Sequence, residues 1–220
     1  MTRSGAPDRQ DVPSQLVREF VANWLALSGD AWLALGGADD VRRAIVEAAT
    51  SMVPRPGSGL PRRVVAWSTE ELARLDLRGL LTPHGFDFAA ATDGSDAPVS
   101  AGSGAAARAA TRTAAAADLG ITSCAWAAAE TGTIALYATP SSGRLTSLLP
   151  TAHVALVRPS LIVRTIPEGF ALLADYAARQ GGFPSTVNLV SGPSRTGDIE
   201  GDLAVGAHGP VRAGVIIGDW

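Results

Sequence analysis

The feature that most constrains this chain is its alternation of short, β-branched apolar runs with segments of helical period. Val64–Trp67 (VVAW), His153–Val157 (HVALV), Thr186–Val190 (TVNLV) and Val211–Ile217 have the length and composition of buried strands. From Val12 onward Leu16, Val17, Phe20, Val21, Trp24 and Leu25 recur at three and four, and Gly29 supplies a stop. Asp39–Ser51 lines Val41, Ile45, Val46 and Ala49 along one side, and Pro167–Arg179 does the same with Phe170, Leu172, Leu173 and Tyr176. Ala105–Asp118, rich in alanine, also reads as a helix, ended by Gly120. Ala31–Leu35 is open between a strand and the start of the next helix. Strands that alternate with helices predict an α/β sheet.

A chain of 220 residues and 22.5 kDa suits one well-buried α/β domain and is short for two. Residues 1–10 are polar and expected to form a disordered tail. Residues 11–220 are expected to form a single domain whose first part, about 11–60, is helical and packs on the α/β core. The net charge of −3 offers no electrostatic reason to expect nucleic acid or an anionic membrane.

All 18 basic residues are arginine. Without lysine there is no P-loop lysine, no Schiff base to pyridoxal phosphate and no lysine general base. Cys124 is the only cysteine, so the chain alone can build neither an internal disulfide nor a cysteine-ligated iron–sulfur cluster. His84, His153 and His208 lack metal-ligand spacing. The first residues, MTRSGAPDRQ, carry no apolar signal core, and no run approaches membrane-spanning length. A cytoplasmic protein without a metal or cofactor of its own is therefore expected.

Glu130 lies with Thr131 and Gly132 between two apolar runs, Ile121–Ala129 and Thr133–Ala138, which suggest a hairpin. A helix stays open for the alanine-rich first arm. A carboxylate there is either a general acid, base or acyl-accepting nucleophile, or a turn carboxylate capping local N–H groups. Ser141, Ser142, Gly143 and Arg144 offer hydroxyls, backbone N–H groups and a fork donor. That combination is an anion pocket or simply an exposed arginine beside a turn.

Arg158 closes the strand that His153 opens. The carboxyl end of a parallel strand is the ligand edge of such sheets, which leaves His153 at the far end with a structural role. Cys124 reads as a buried, inert thiol and Trp126 as core.

Ser191–Pro210 reads SGPSRTGDIEGDLAVGAHGP. Gly192 and Pro193 break the preceding strand, and Ser194, Thr196 and Asp198 are helix N-cap candidates. A strand, a glycine turn and a helix N-terminus present free N–H groups to an anion, and Arg195 adds a planar donor. The competing reading is a capped loop with a solvated arginine. His208 is an acid/base or a loop histidine. Two further patterns are structural in this reading. Ser68 and Glu71 form a capping box opening a helix through about Leu75. Gly102, Gly104 and Ala107 have dinucleotide-fingerprint spacing, but neither the preceding strand nor the later acidic residue.

Three ordered segments carry a family resemblance: Ala117–Leu136 (ADLGITSCAWAAAETGTIAL), Arg144–Ser160 (RLTSLLPTAHVALVRPS) and Ser191–Pro210. The chain resembles the LUD domain proteins, specifically their lactate-utilisation protein C group, from about Ala117 onward. The resemblance implies a fold of the NagB/RpiA/CoA-transferase-like group, an open, mostly parallel α/β sheet with helices on both faces. It implies a place in a three-protein bacterial system that oxidises L-lactate to pyruvate, with iron–sulfur clusters in the two partner proteins. The chain would then be an accessory component that binds a small carboxylate or other anion. The binding candidates are Ser142, Arg144, Arg158, Ser194, Arg195, Thr196 and Asp198, and the catalytic candidates are Glu130 and His208. Two alternatives stand beside it. One is a free-standing acyl-transfer or isomerase enzyme that uses Glu130, the other a non-catalytic assembly or regulatory module.

Overall fold

A six-stranded sheet, parallel throughout, organises the fold of this computed structural model, which describes residues 13–54, 62–88, 104–197, 203–205 and 209–220. The chain enters through helix α1 (Gln15–Ala26), strand β1 (Asp30–Ala34), helix α2 (Ala38–Met52) and strand β2 (Arg62–Ala66). Two short helices, α3 (Glu70–Ala73) and α4 (Leu77–Leu81), lead to β3 (Phe86–Phe88). Helix α5 (Gly104–Ala115) precedes β4 (Leu119–Ser123), β5 (Trp126–Ala128) and β6 (Thr133–Ala138). Then come α6 (Leu145–Leu148), β7 (Ala152–Val157), β8 (Ile162–Val163), α7 (Ile166–Gln180) and β9 (Thr186–Val190). The chain closes with β10 (Arg195–Gly197), β11 (Leu203–Val205) and β12 (Arg212–Gly218).

The main sheet runs β1-β12-β7-β4-β2-β3, every neighbouring pair parallel. A smaller sheet runs β8-β5-β6-β9, and β10 and β11 form an antiparallel pair. Register places helices on both faces of the main sheet. Arg212 aligns with Ala152, which aligns with Leu119; Gly120 follows Leu119 and so points the other way. On the first face the Arg212 guanidinium donates to the Ser51 carbonyl of α2 at 2.8 Å and pairs with Asp30 at 2.7 Å. On the second face α6 lies so close that a Cβ on Gly120 would stand 1.9 Å from the Thr146 carbonyl oxygen.

Local chemistry explains the helices. Ser14 caps α1 by accepting from the Val17 N–H at 3.3 Å. The apolar stripe of α1 buries Val17, Phe20 and Trp24, and that of α2 buries Val41, Ile45, Ala48 and Met52. These join Leu119, Ile121, Val154, Leu156 and Ile216 from the sheet in one continuous core. A second cluster (Trp126, Ala128, Ala135, Tyr137 and Leu173) fills the space between α7 and the smaller sheet. Its two polar tips satisfy each other, the Trp126 indole N–H donating to the Tyr137 hydroxyl at 2.9 Å. Burial raises the pKa of that phenol.

The structure revises several local expectations. Ala31–Leu35 resolves as the edge strand β1, so the first part of the domain is not purely helical. Gly120 lies inside β4 and does not terminate α5. The run Ile121–Ala129 divides between two sheets, β4 ending at Ser123 and β5 starting at Trp126. The hairpin is β5–β6, with the expected Glu130 turn as a 3₁₀ turn, Ala129–Thr131. Thr186–Val190 is a strand as expected, but pairs antiparallel with β6 in the smaller sheet, and β10 follows it where a helix was expected. Ser68 does not cap α3; its N–H donates to Ser141 O at 3.0 Å, and Thr69 holds the N-cap position. No helix among the described residues is long and apolar enough to cross a membrane.

Candidate functional site

The parallel strands end together along one edge, and the groups there come from four of them. Ser123 closes β4, Arg158 follows β7, Asp219 and Trp220 follow β12, and Glu71 comes from α3, just beyond β2. Ser123 shares its face of the sheet with Leu119 and Ile121, the face that α2 covers. Its hydroxyl is buried and donates to Glu71 Oε1. The other carboxylate oxygen, Oε2, lies 3.5 Å from Arg158 Nη1. Arg158 Nη2 donates to the Trp220 main-chain oxygen at 3.4 Å, and its guanidinium carbon sits 4.5 Å from the Trp220 ring centroid. The Trp220 indole N–H in turn donates to the Glu71 carbonyl at 3.2 Å.

Glu71 and Arg158 are each about one-third exposed at the side chain, 32% and 30%, so both meet solvent, while Ser123 beneath Glu71 is buried and Trp220 beside Arg158 is half-buried. Both Arg158 contacts are long for charge-assisted bonds, which run about 2.7–2.9 Å. Thr69, in the turn that presents Glu71, has a buried hydroxyl without a hydrogen-bond partner among the described residues. Cys124, next to Ser123, is buried. Desolvation, reinforced by the nearby Glu71 charge, pushes its thiol pKa up and keeps it an inert thiol.

Arg144 belongs to the same edge. Gly143 O accepts from the Trp67 indole N–H at 3.0 Å and Ser141 O from the Ser68 N–H at 3.0 Å, both immediately after β2. The Arg144 side chain is exposed and makes no hydrogen bond or ion pair among the described residues. Ser142 is buried and inward-facing. Its hydroxyl donates to Tyr137 O at 2.7 Å, accepts from the Thr139 N–H at 3.1 Å, and so folds the turn before Arg144.

Ser194 and Arg195 sit at the opposite edge. The Ser194 N–H donates to Pro210 O at 3.0 Å, just ahead of β12. The Arg195 guanidinium donates to Leu27 O, just ahead of β1. Thr196 lies on β10, opposite Ala204. Asp198 and His208 fall outside the described residues. The fold thus separates Arg144 from Arg195 by the length of the parallel strands.

Glu130 occupies a third place. Its Oε1 accepts from the Ile166 N–H at 3.2 Å, while its own N–H donates to Arg164 O at 3.0 Å. The turn is clamped by α1, with Asn23 donating to Ala129 O at 2.8 Å. Gly132 has φ +59, and a Cβ there would stand 2.7 Å from the Trp24 nitrogen, so the close approach of α1 needs glycine. His153 is fully buried on the α6 side of the sheet, with Nε2 2.9 Å from the Thr122 hydroxyl. Desolvation lowers its pKa to about 4, so it is held neutral.

Of the sequence candidates, Arg158, expected at the carboxyl end of its strand, and Arg144, expected only in a loop, both lie at the carboxyl ends of the parallel strands. Glu71, Ser123 and Trp220, which lie there too, were not among the candidates. The sequence offered a signal for Glu71, which follows closely on the apolar run Val64–Trp67, but none for Ser123, which lies inside the continuous apolar run Ile121–Ala129. Among the described residues no group of three or more His, Cys, Asp or Glu side chains is placed to hold a metal ion.

Comparison with known proteins agrees with this architecture. A crystal structure of a DUF162 family protein from Deinococcus radiodurans superposes with a TM-score of 0.61 at 24% identity, covering 93% of this chain and 96% of that one. At that identity the likeness speaks for the fold. Lactate utilization protein C of Bacillus licheniformis is 42% identical over 101 residues, which is 46% of this chain and 42% of that protein. The corresponding proteins of Bacillus mycoides (named protein C 1) and Bacillus subtilis are 43% and 41% identical over 104 and 101 residues, covering 47% and 46% of this chain and 44% and 42% of theirs. The chain thus aligns with less than half the length of these curated relatives. The LUD domain model matches residues 38–217, from the first residue of α2 to the penultimate residue of β12, and the chain belongs to the LUD domain family.

Proposed function

We propose that this chain is an accessory component of a bacterial L-lactate utilisation system, which oxidises L-lactate to pyruvate, and that it binds a small carboxylate at the carboxyl edge of the main sheet. The observation that carries the reading is the 41–43% identity with proteins named lactate utilization protein C. The edge bearing Arg144 and Arg158 supports the carboxylate. Arg144 is exposed and unpaired among the described residues, and Arg158 has only long contacts. Arg195 serves the other edge, where it ties β10 to the end of α1.

In this reading redox chemistry resides in iron–sulfur partner proteins, since the chain's one cysteine is buried and held as a thiol. The system works in the cytoplasm. The test is L-lactate-dependent oxygen uptake in cells that lack this gene and any other lactate dehydrogenase. Wild type is expected to restore uptake, and Arg144→Ala combined with Arg158→Ala to fail while staying folded. Normal uptake in the deletion strain would overturn the lactate role.

A further inference from the structure

We infer that Arg158 and Glu71 form a recognition pair for a 2-hydroxycarboxylate, Arg158 binding the carboxylate and Glu71 accepting a hydrogen bond from the hydroxyl. The inference deepens the lactate reading and rests on it for the choice of ligand.

The geometry supplies one donor fork and one acceptor side by side. Ser123 occupies Oε1 of Glu71 from the buried side, which fixes the carboxylate and leaves Oε2 facing Arg158 at 3.5 Å. The Arg158 fork is supported by the Trp220 ring at 4.5 Å and, among the described residues, touches protein oxygens only at 3.4 and 3.5 Å. A ligand carboxylate at ordinary charge-assisted distance makes a better partner than either. The spacing between the fork and the open oxygen suits a ligand whose carboxylate and hydroxyl sit on neighbouring carbons.

The same pair discriminates. A carboxylate entering beside Glu71 meets a like charge. The 2-hydroxyl offsets that cost by donating to Oε2. A 2-oxo group brings a second acceptor against the Glu71 oxygen, and an unsubstituted acid leaves Oε2 desolvated without a donor. One charged hydrogen bond of this kind corresponds to roughly ten- to hundredfold in affinity. The pair is also poorly suited to a dianionic phosphate, whose second charge would confront the Glu71 carboxylate.

The experiment is titration of the purified full chain with L-lactate, pyruvate and propionate, followed by tryptophan fluorescence, because Trp220 lies against Arg158, and by calorimetry. L-lactate is expected to bind wild type at least tenfold more tightly than the other two. Glu71→Gln, whose amide donates to a 2-oxo oxygen, is expected to bring lactate and pyruvate within about threefold of each other. Arg158→Gln, with an unchanged unfolding midpoint, is expected to lose all three. Equal binding of the three acids to wild type would overturn the pair, and needs no variant to fold. So would absence of lactate binding at millimolar concentration, or undiminished binding by a folded Arg158→Gln protein. The respiration experiment separates the two claims. Normal uptake in the deletion strain alongside selective lactate binding removes the pathway role and leaves the site standing; lost uptake without binding does the reverse.

Discussion

The Glu130 carboxylate accepts the N–H of Ile166 at 3.2 Å, across 36 residues of sequence, and thereby completes the N-terminus of α7. Every donor of that first turn is accounted for. Ile166 gives to Glu130, Pro167 has no N–H, Glu168 gives to Thr165 Oγ1 at 3.3 Å, and Gly169 opens the helical ladder by donating to Thr165 O at 3.2 Å. Glu168 reaches back to the Arg164 N–H at 2.9 Å. A carboxylate at a helix N-terminus also faces the positive end of the helix dipole.

Replacing Glu130 by alanine is therefore expected to cost about 1 kcal/mol of stability, the usual value of a lost N-terminal cap. Urea unfolding measures it. Lactate titration of the same variant is expected to match wild type, because the turn stands apart from Arg158. A wild-type unfolding midpoint together with lost lactate binding would return Glu130 to the chemistry.

Gly120→Ala is expected to destabilise the domain by about 2 kcal/mol or more. Its Cβ would lie 1.9 Å from the Thr146 backbone oxygen, and backbone cannot swing aside as a flexible side chain can. Relief requires moving α6, whose first turn follows Arg144. Thermal unfolding checks the first effect. Weakened lactate binding in the folded fraction would report the second.

His153 makes stability depend on pH with a definite sign. Burial lowers its pKa from 6.5 to about 4, so between those values the unfolded chain binds a proton that the folded protein refuses. Its contribution is fully present above pH 6.5 and is lost as pH falls to 4, after which it levels off. The size is about 3 kcal/mol at 1.36 kcal/mol per unit. Denaturant unfolding of wild type and His153→Gln across pH 4–8 isolates it: the difference between the two proteins is expected to shift over that window. A constant difference would mean that the ring is not kept neutral.

Much of the fold was legible because its signals are local. β-branched runs such as VVAW and HVALV form strands wherever both faces are buried, and of the residues that the period of α1 selects, Val17, Phe20 and Trp24 are buried while Leu25 is exposed. The misreadings share one cause. Ser68 and Glu71 have capping-box spacing, yet the Ser68 backbone is drawn to Ser141 and the Glu71 side chain to Ser123. Ile121–Ala129 looks like one apolar arm, but the chain changes sheets after Ser123. Competing long-range partners decided both cases, and sequence spacing carries no record of them.

The candidate site divides in the same way. By itself, the sequence determined the inventory: arginine as the basic side chain throughout, a single cysteine, a β-rich core interleaved with amphipathic helices, and arginines placed after strands and turns. Those follow from composition and from periods of two and 3.6, which act over a few residues. Tertiary structure alone decided which groups meet. Parallel pairing gathers strand ends far apart in sequence along one edge, so Ser123, Arg158 and Trp220 come together around Glu71. The same pairing sends Arg195 to the other edge and leaves Glu130 to cap a helix. Proximity across a sheet is set by strand order and register, and these are properties of the packed whole that no short stretch of residues encodes.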